Sequence, residues 1–576
     1  MKKSLLFLPL LALPMTLLSA CGGSGGSGSG TTQIQIINYC GGVGKEWLER
    51  SIERFKEAKK DYSYESGKTG VEFKVTNTKS VNVSAMKGQT KNIYITEDNG
   101  FPQDLAANGS LLDIDEWVNE INTDGKTIDS KIDESVKNFL KYNGKYYALP
   151  HYELYPGATY DYELFTKKNL FLAAPDEDDS KVTTFTLGNK TYRFAKTNGK
   201  KACGNDGIYG TDDDGLPTSL EEFVALTQFM INRNVSPILF PGNHQDYTSL
   251  LMEGMLASLV GKSGIESFYN FSGEINLVTG YKNDNDYIVP GSGCPTPIVE
   301  KVTLTEAEGY KVRMTEERYA VICMMQILDS YNNKNAFDKD VTYELGNTNE
   351  VVQKLFIAGS REGGSTKDYG ILCEGNYWLN EAQDRFADFY ADHPEYNAET
   401  NPRDVRWMSL PTKITGTVSP GEGNEPCLMD TGNSFFLVNK YAYQRVSNGT
   451  QQAIKEFVQF LYTDAEIQDF TRTTGVCKSG ITVDYYTEDI YSNLTPYQQT
   501  VLNLKKNFGV AYAGSSSKTY LAKRDDLYFS INASVWHPGS YKSCIEAIRA
   551  KAYDAKGCFE NTQIDANKWS QLYYVA

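Results

Sequence analysis

Four aspartates, Asp206, Asp212, Asp213 and Asp214, fall within nine residues of the stretch Asn205 to Gly215, and Glu222 follows closely. Carboxylates this crowded repel one another unless a hard cation or open water intervenes, and Ca²⁺ takes about six to eight oxygens from Gly-punctuated loops. The spacing departs from the D-x-[DN]-x-[DN]-G run of an EF-hand. A structural calcium held by these five side chains and a solvated acidic loop both satisfy the pattern; no other cofactor is expected. Glu97 and Asp98 form a second acidic pair at the carboxyl end of an apolar run, where they could accept hydrogen bonds from hydroxyl donors or simply sit in a solvated turn. Catalytic signatures are missing, since beyond the Gly/Ser run of Gly22 to Gly30 the chain has no G-x-S-x-G, H-E-x-x-H or P-loop pattern. Two suitably spaced carboxylates would nevertheless suffice for glycoside hydrolysis. The four histidines, His151, His244, His393 and His537, lie far apart and no C-x-x-C occurs, which argues against zinc.

The balance of charge narrows the partners. With 57 basic and 73 acidic residues the net charge is −16, or −18 once Lys2 and Lys3 are set aside. Such a surface repels phosphate backbones, so nucleic acid is not an expected partner. A hydrophobic content of 40% and a mean hydropathy of −0.45 describe a folded body without a disordered signature. Aromatic residues are plentiful, with 39 Tyr, 26 Phe and 6 Trp. Tyr joins a flat apolar face to a hydroxyl and suits ligands that are themselves part apolar and part hydroxylated. Beyond Cys21, nine cysteines remain at irregular spacing. Cys544 with Cys558, or Cys373 with Cys427, could pair if oxidised, and buried thiols fit equally well.

The elements that must position these groups begin after an unusual leader. Lys2-Lys3, the apolar run Leu5 to Leu18 and the sequence Leu18-Ser19-Ala20-Cys21 resemble a bacterial lipoprotein signal, cut before Cys21, whose sulfur then carries lipid. The run is too short and too Pro-interrupted to span a bilayer comfortably, which takes about 20 apolar residues. Gly22 to Gly30 contains only Gly and Ser, the composition of a flexible tether. Residues 1–20 are thus expected to be a signal peptide and 21–30 a lipidated tether. The body would hang from a membrane outside the cytoplasm, at the cell surface or in the periplasm.

That body opens as alternating strands and helices. Gln33 to Ile37 predicts a strand and Asn38 to Gly42 a turn; Leu48, Ile52 and Phe55 then form one apolar stripe of a helix. Val71 to Val75 and Asn92 to Ile95 predict two further strands. This order implies an α/β fold with mostly parallel sheets flanked by helices, in which ligands sit beyond the carboxyl ends of the strands.

The same segments, taken in order, resemble the family 1 extracellular solute-binding proteins of carbohydrate ABC importers, the maltose-binding-protein-like group. Ile36-Ile37-Asn38 with its Gly-rich turn and Phe55-Lys56 are similar to that family's opening strand and helix. Asn92 to Ile95, Leu105 to Gly109 and Leu111 to Ile114 resemble its next strand and the turn beyond. Asn143 to Pro150, a G-K-x-Y-A-L-P stretch, is the most diagnostic, followed by Tyr160 to Phe165 with Asn169-Leu170, then by Leu216 to Phe223. Gly375 to Trp378, Ala453 to Leu461 and the Thr474-Gly475 turn complete the resemblance.

The resemblance implies a type II periplasmic-binding-protein-like fold of two lobes joined by a multi-segment hinge. One lobe would hold residues 31–152 and 431–474 and the other 153–430 and 475–576, with insertions near 172–215 and 274–313. Thr184 to Phe194 in the first insertion predicts a β-hairpin. It also implies a binding protein, not an enzyme, that works as a monomer, takes a carbohydrate ligand (an oligosaccharide) and delivers it to ABC permease subunits. Trp378 and Trp536 are the implied stacking residues, with Glu97, Asp98, Asn38, Glu153, Tyr155, Asn376 and Asn433 as polar candidates near strand ends and crossings. Peptide binding on the same fold and a surface-anchored glycoside hydrolase are the alternatives. An adhesin would predict repeated β-rich modules, and no such repeat is visible.

Overall fold

A computed structural model of the protein describes residues 30–97, 102–344, 346–361, 367–422, 426–432, 434–512 and 535–573. The leader, Cys21, Asp98 and Asn433 lie outside them. No described helix is long and apolar enough to cross a membrane.

The strands begin with β1 (Thr32–Tyr39), β2 (Val71–Thr78), β3 (Ile93–Glu97), the short pair β4 (Lys141–Tyr142) and β5 (Lys145–Tyr146), and β6 (Ala148–Pro150). Next come β7 (Pro156–Asp161), β8 (Val182–Leu187), β9 (Lys190–Ala195), β10 (Val235–Leu239), β11 (Glu274–Tyr281) and β12 (Pro297–Thr303). The last are β13 (Asp368–Gly375), β14 (Val405–Trp407), β15 (Leu428–Asp430), β16 (Ser434–Val438) and β17 (Val510–Tyr512). Two larger sheets centre the two lobes, one in the order β2-β1-β3-β16-β6 and the other β10-β13-β7-β14.

Both sheets are mostly parallel, as expected, and each carries one strand that runs against the rest. In the first, β1 runs parallel to β2 and β3 while β16 is antiparallel to β3 and β6. In the second, β10 and β13 are parallel while β7 opposes β13 and β14. The reason is the path of the chain. A strand that enters a lobe from the hinge starts where its neighbours finish, so β7 and β16 must run against them.

The expected helix forms at Glu46–Ala58, burying Trp47, Leu48, Ser51, Ile52 and Phe55. Phe55 meets Phe457 edge to face at 5.1 Å, and Arg54 Nε reaches Glu466 Oε1 at 2.6 Å, which pins helices Asn448–Leu461 and Asp464–Thr474 against the first sheet. In β1 burial alternates, with Thr32, Ile34, Ile36 and Asn38 turned inward. The predicted hairpin is present as β8 and β9, turning at Gly188 with φ +59°, a backbone region that favours glycine. A second hairpin, β11 and β12, stands in the other long stretch.

Candidate functional site

Among the described residues, three chain segments near residues 151–155, 430–432 and 476–481 lie side by side between the two larger sheets. His151 N–H donates to Ser434 O at 3.0 Å, Glu153 N–H to Cys477 O at 3.0 Å, and Thr431 N–H to Leu154 O at 3.1 Å. The buried Asp430 carboxylate gathers them, since Oδ1 accepts from Leu154 N at 3.1 Å and Gly432 N at 3.0 Å and Oδ2 accepts from Ser479 Oγ at 2.5 Å. Burial, followed by the neighbouring Glu153, pushes Asp430 up to about 7. Glu153 itself is paired with Lys505 Nζ, at 2.5 Å to Oε1 and 2.6 Å to Oε2, and also accepts from the Tyr155 and Tyr512 hydroxyls. Asn376 locks this crossing to the end of β13, accepting from Tyr155 N at 2.9 Å and donating to Glu153 O at 3.3 Å.

Beyond the hinge, the carboxyl ends of the two sheets face each other. Tyr39 ends β1, Glu97 ends β3 and Lys79 follows β2; opposite them stand Tyr247, Glu374, Tyr377 and Glu381. Tyr152 donates to Glu97 and its ring lies 6.4 Å from that of Tyr377, at 78°. The charge environment records the same apposition. Burial, then Glu97 from the first lobe and Glu374, Tyr247 and Glu381 from the second, holds the Tyr377 hydroxyl well above its ordinary range. The Tyr247 hydroxyl is raised by burial, then by Glu374, Glu381, Asp246 and Tyr39. Asn349 Nδ2 donates to Tyr247 Oη at 3.3 Å. Gly42 closes the turn after β1 with φ +55°, and a Cβ there would strike the Tyr152 hydroxyl.

Tyr39, Tyr247, Tyr377, Glu97 and Glu381 are all half-buried. Aromatic faces stack on apolar C–H surface, carboxylates accept from hydroxyls or cations, and both interactions strengthen as water is excluded.

Of the residues predicted from sequence, the structure brings Glu97 to this cleft and Glu153, Tyr155 and Asn376 to the hinge beside it. Asn38 is buried in β1 and donates to Asn77 Oδ1 at 2.9 Å, tying β1 to β2. Trp378 is a correction: it is 0% exposed, with Phe386 at 5.5 Å, Phe356 at 5.7 Å and Tyr497 at 5.9 Å around it. The short helix Trp378–Glu381 turns the indole into the core and leaves Tyr377, one residue earlier, toward Tyr152. Trp536 is likewise 0% exposed, its indole against the Glu253 carboxyl. Tyr39 and Tyr377 were each one residue from a predicted position, whereas Tyr247, Glu374 and Glu381 carried no sequence signal.

The acidic loop closes largely on its own backbone. Among the described residues no group of three or more His, Cys, Asp or Glu side chains is placed to hold a metal. Asp213 Oδ2 accepts from Asn205 N at 2.5 Å and Asp206 N at 3.2 Å, and burial, then Asp206, pushes this carboxyl up to about 7. Asp214 accepts from Gly210 N at 2.7 Å, Asp206 from Ile208 N at 2.8 Å, and Asp212 from Asn503 Nδ2 at 2.6 Å. Glu222 faces away, accepting from the hydroxyls of Thr218 at 2.8 Å and Thr417 at 2.6 Å. Backbone donors thus answer part of the repulsion that suggested calcium, while Asp206 Oδ2 is buried without a hydrogen-bond partner. The nine described cysteines are free thiols, with Cys544 against Cys558.

No family model and no curated protein matches this chain. Among solved structures, a chitin oligosaccharide binding protein is similar with a TM-score of 0.51 at 14% identity, covering 94% of this chain and 100% of its own. The GacH receptor of Streptomyces glaucescens, solved unliganded and with acarbose and an acarbose homolog, reaches a TM-score of 0.50 at 14% identity, covering 95% and 99%. At such identity the likeness speaks for the fold, which is the two-lobe α/β fold of solute-binding proteins, as the sequence motifs implied.

Proposed function

We propose that the protein is a family 1 receptor lipoprotein that captures an oligosaccharide outside the cytoplasm and delivers it, unaltered, to the permease of an ABC importer. In this reading residues 31–152 and 431–474 make one jaw and 153–430 and 475–576 the other. Cargo would shift an open ensemble toward the closed form through its differential affinity for the two. The observation that carries the reading is the apposition of strand ends across a tyrosine- and carboxylate-lined cleft, with Tyr377 and Tyr152 on its floor. Flat rings and acceptors in one half-buried cleft are what a polyhydroxylated ring needs. The stacking role read from sequence for Trp378 passes to Tyr377.

Calorimetry of the purified protein against panels of oligosaccharides and peptides tests this. An oligosaccharide should bind, no product should accumulate on incubation, and Tyr377→Ala should weaken binding by ~30-fold, the loss of about 2 kcal/mol typical of a buried aromatic contact, with the unfolding midpoint unchanged. Binding of peptides alone, or catalytic release of shorter glycans, would overturn it.

A further inference from the structure

One end of the cleft is short of donors. Glu374, at the close of β13, is 0% exposed, and its Oε2 has no hydrogen-bond partner. Its carboxyl meets Gln353 Nε2 at 3.4 Å, near the limit of a hydrogen bond, with the Gly375 N–H and the Asn349 side chain also beside it. Beside it the buried Asn349 Oδ1 is also unpartnered, its amide being turned to Tyr247. Glu381 completes the group, and its carboxyl and that of Glu374 interact directly. Lys79 from the first lobe faces Glu381 and Glu350, and Arg385 faces Glu350. No ion pair reaches Glu374 among the described residues. Burial, then Glu381, holds Glu374 well above the usual carboxylate range.

A sugar hydroxyl donates one hydrogen and brings an acceptor of its own. An ammonium donates three, accepts none, and carries the charge that two converging carboxyls lack. We infer that the pocket formed by Glu374, Glu381, Asn349 and Tyr247 receives an ammonium group, so that the cargo is an amino sugar bearing a free amine. This rests on the carbohydrate reading above. The amine satisfies Glu374 Oε2 and Asn349 Oδ1 together, while Tyr247 and Tyr377 flank the ring that carries it.

The test is calorimetry with three probes of equal length: a glucosamine trimer, its N-acetylated counterpart and maltotriose, on the wild type and on Glu374→Gln and Glu381→Gln. The glucosamine trimer should bind at least ~10-fold tighter than either neutral trimer, the factor one charge-assisted hydrogen bond supplies. Glu374→Gln should erase that preference. Comparison of the three probes on the wild type decides the matter even if a variant fails to fold. Equal or tighter binding of a neutral trimer would overturn the ammonium pocket and leave the receptor reading intact. Failure of every saccharide to bind would overturn both.

Discussion

The hinge and the cleft each bury several ionisable groups, yet they treat them in opposite ways. At the hinge both buried carboxyls are answered: Glu153 has Lys505 and two tyrosine hydroxyls, and Asp430 has two backbone N–H groups and Ser479. In the cleft Glu374 presents an oxygen to nothing. Burying a polar group without a partner costs free energy, so a protein keeps such a group only where something else supplies the partner. The contrast separates groups that hold the two lobes in register from groups that wait for cargo.

Removing a partner at the hinge should therefore hurt far more than neutralising the cleft carboxyl. Lys505→Met leaves Glu153, 1% exposed, without its cation, and should cost ~3–5 kcal/mol, the penalty of an uncompensated buried charge. Urea unfolding should show Glu374→Gln within ~1 kcal/mol of the wild type, because an isosteric neutral amide replaces a carboxyl whose charged form burial already disfavours. Adding Glu153→Gln to Lys505→Met should restore much of the loss, since both charges then leave together. Equal costs for the hinge and cleft variants would erase the distinction.

A second break concerns Lys478, beside the third crossing. Its ammonium is 2% exposed, 3.0 Å from His151 Nδ1 and 4.2 Å from the Phe470 ring centroid. Burial drives this lysine down to about 7 from 10.5. Between those values the unfolded chain holds a proton that the folded protein lacks, so this residue makes stability rise with pH from 7 toward 10.5, by up to ~1.4 kcal/mol per unit. The contribution is lost as pH falls through 7. Lys478→Met should flatten that slope, read as the difference between the two proteins' urea midpoints at pH 7.5, 8.5 and 9.5. Parallel profiles would mean that the lysine stays charged in the fold.

Much of this architecture can be read from residue spacing, because a periodic apolar pattern dictates an element directly. The stripe of Leu48, Ile52 and Phe55 and the alternation through Ile34 and Ile36 became the helix and strand they predict. The residues of G-K-x-Y-A-L-P became β5 and β6, leading into the first crossing. Side-chain direction just past a strand end is another matter. One turn of helix after β13 was enough to exchange the places of Tyr377 and Trp378, and no periodicity governs so short an element. Glu374 sits in the apolar run of β13, where its partners come from sequence positions 349, 353 and 381. The aspartate-rich loop shows the converse limit: its charges are countable along the chain, but the backbone N–H groups that answer them exist only once the loop has closed.

The finest test lies in the single hydroxyl that completes Asp430. Ser479→Ala removes the 2.5 Å bond to Oδ2 and leaves Oδ1 with its two N–H donors. With the carboxyl raised to about 7 from 3.8, the folded protein holds a proton there that the unfolded chain gives up between those values. Asp430 therefore contributes stability that is fully present below pH 3.8 and lost as pH rises through 7. The lost hydroxyl matters most where the carboxylate is ionised, so the substitution should cost ~1 kcal/mol at pH 8 and about half of that at pH 5.5. Ligand affinity should stay within ~2-fold, because the hydroxyl touches the crossing rather than the cleft. A pH-independent cost would show that Asp430 is ionised throughout, and a large loss of affinity would show that hinge and cleft are not separable in the way their buried groups suggest.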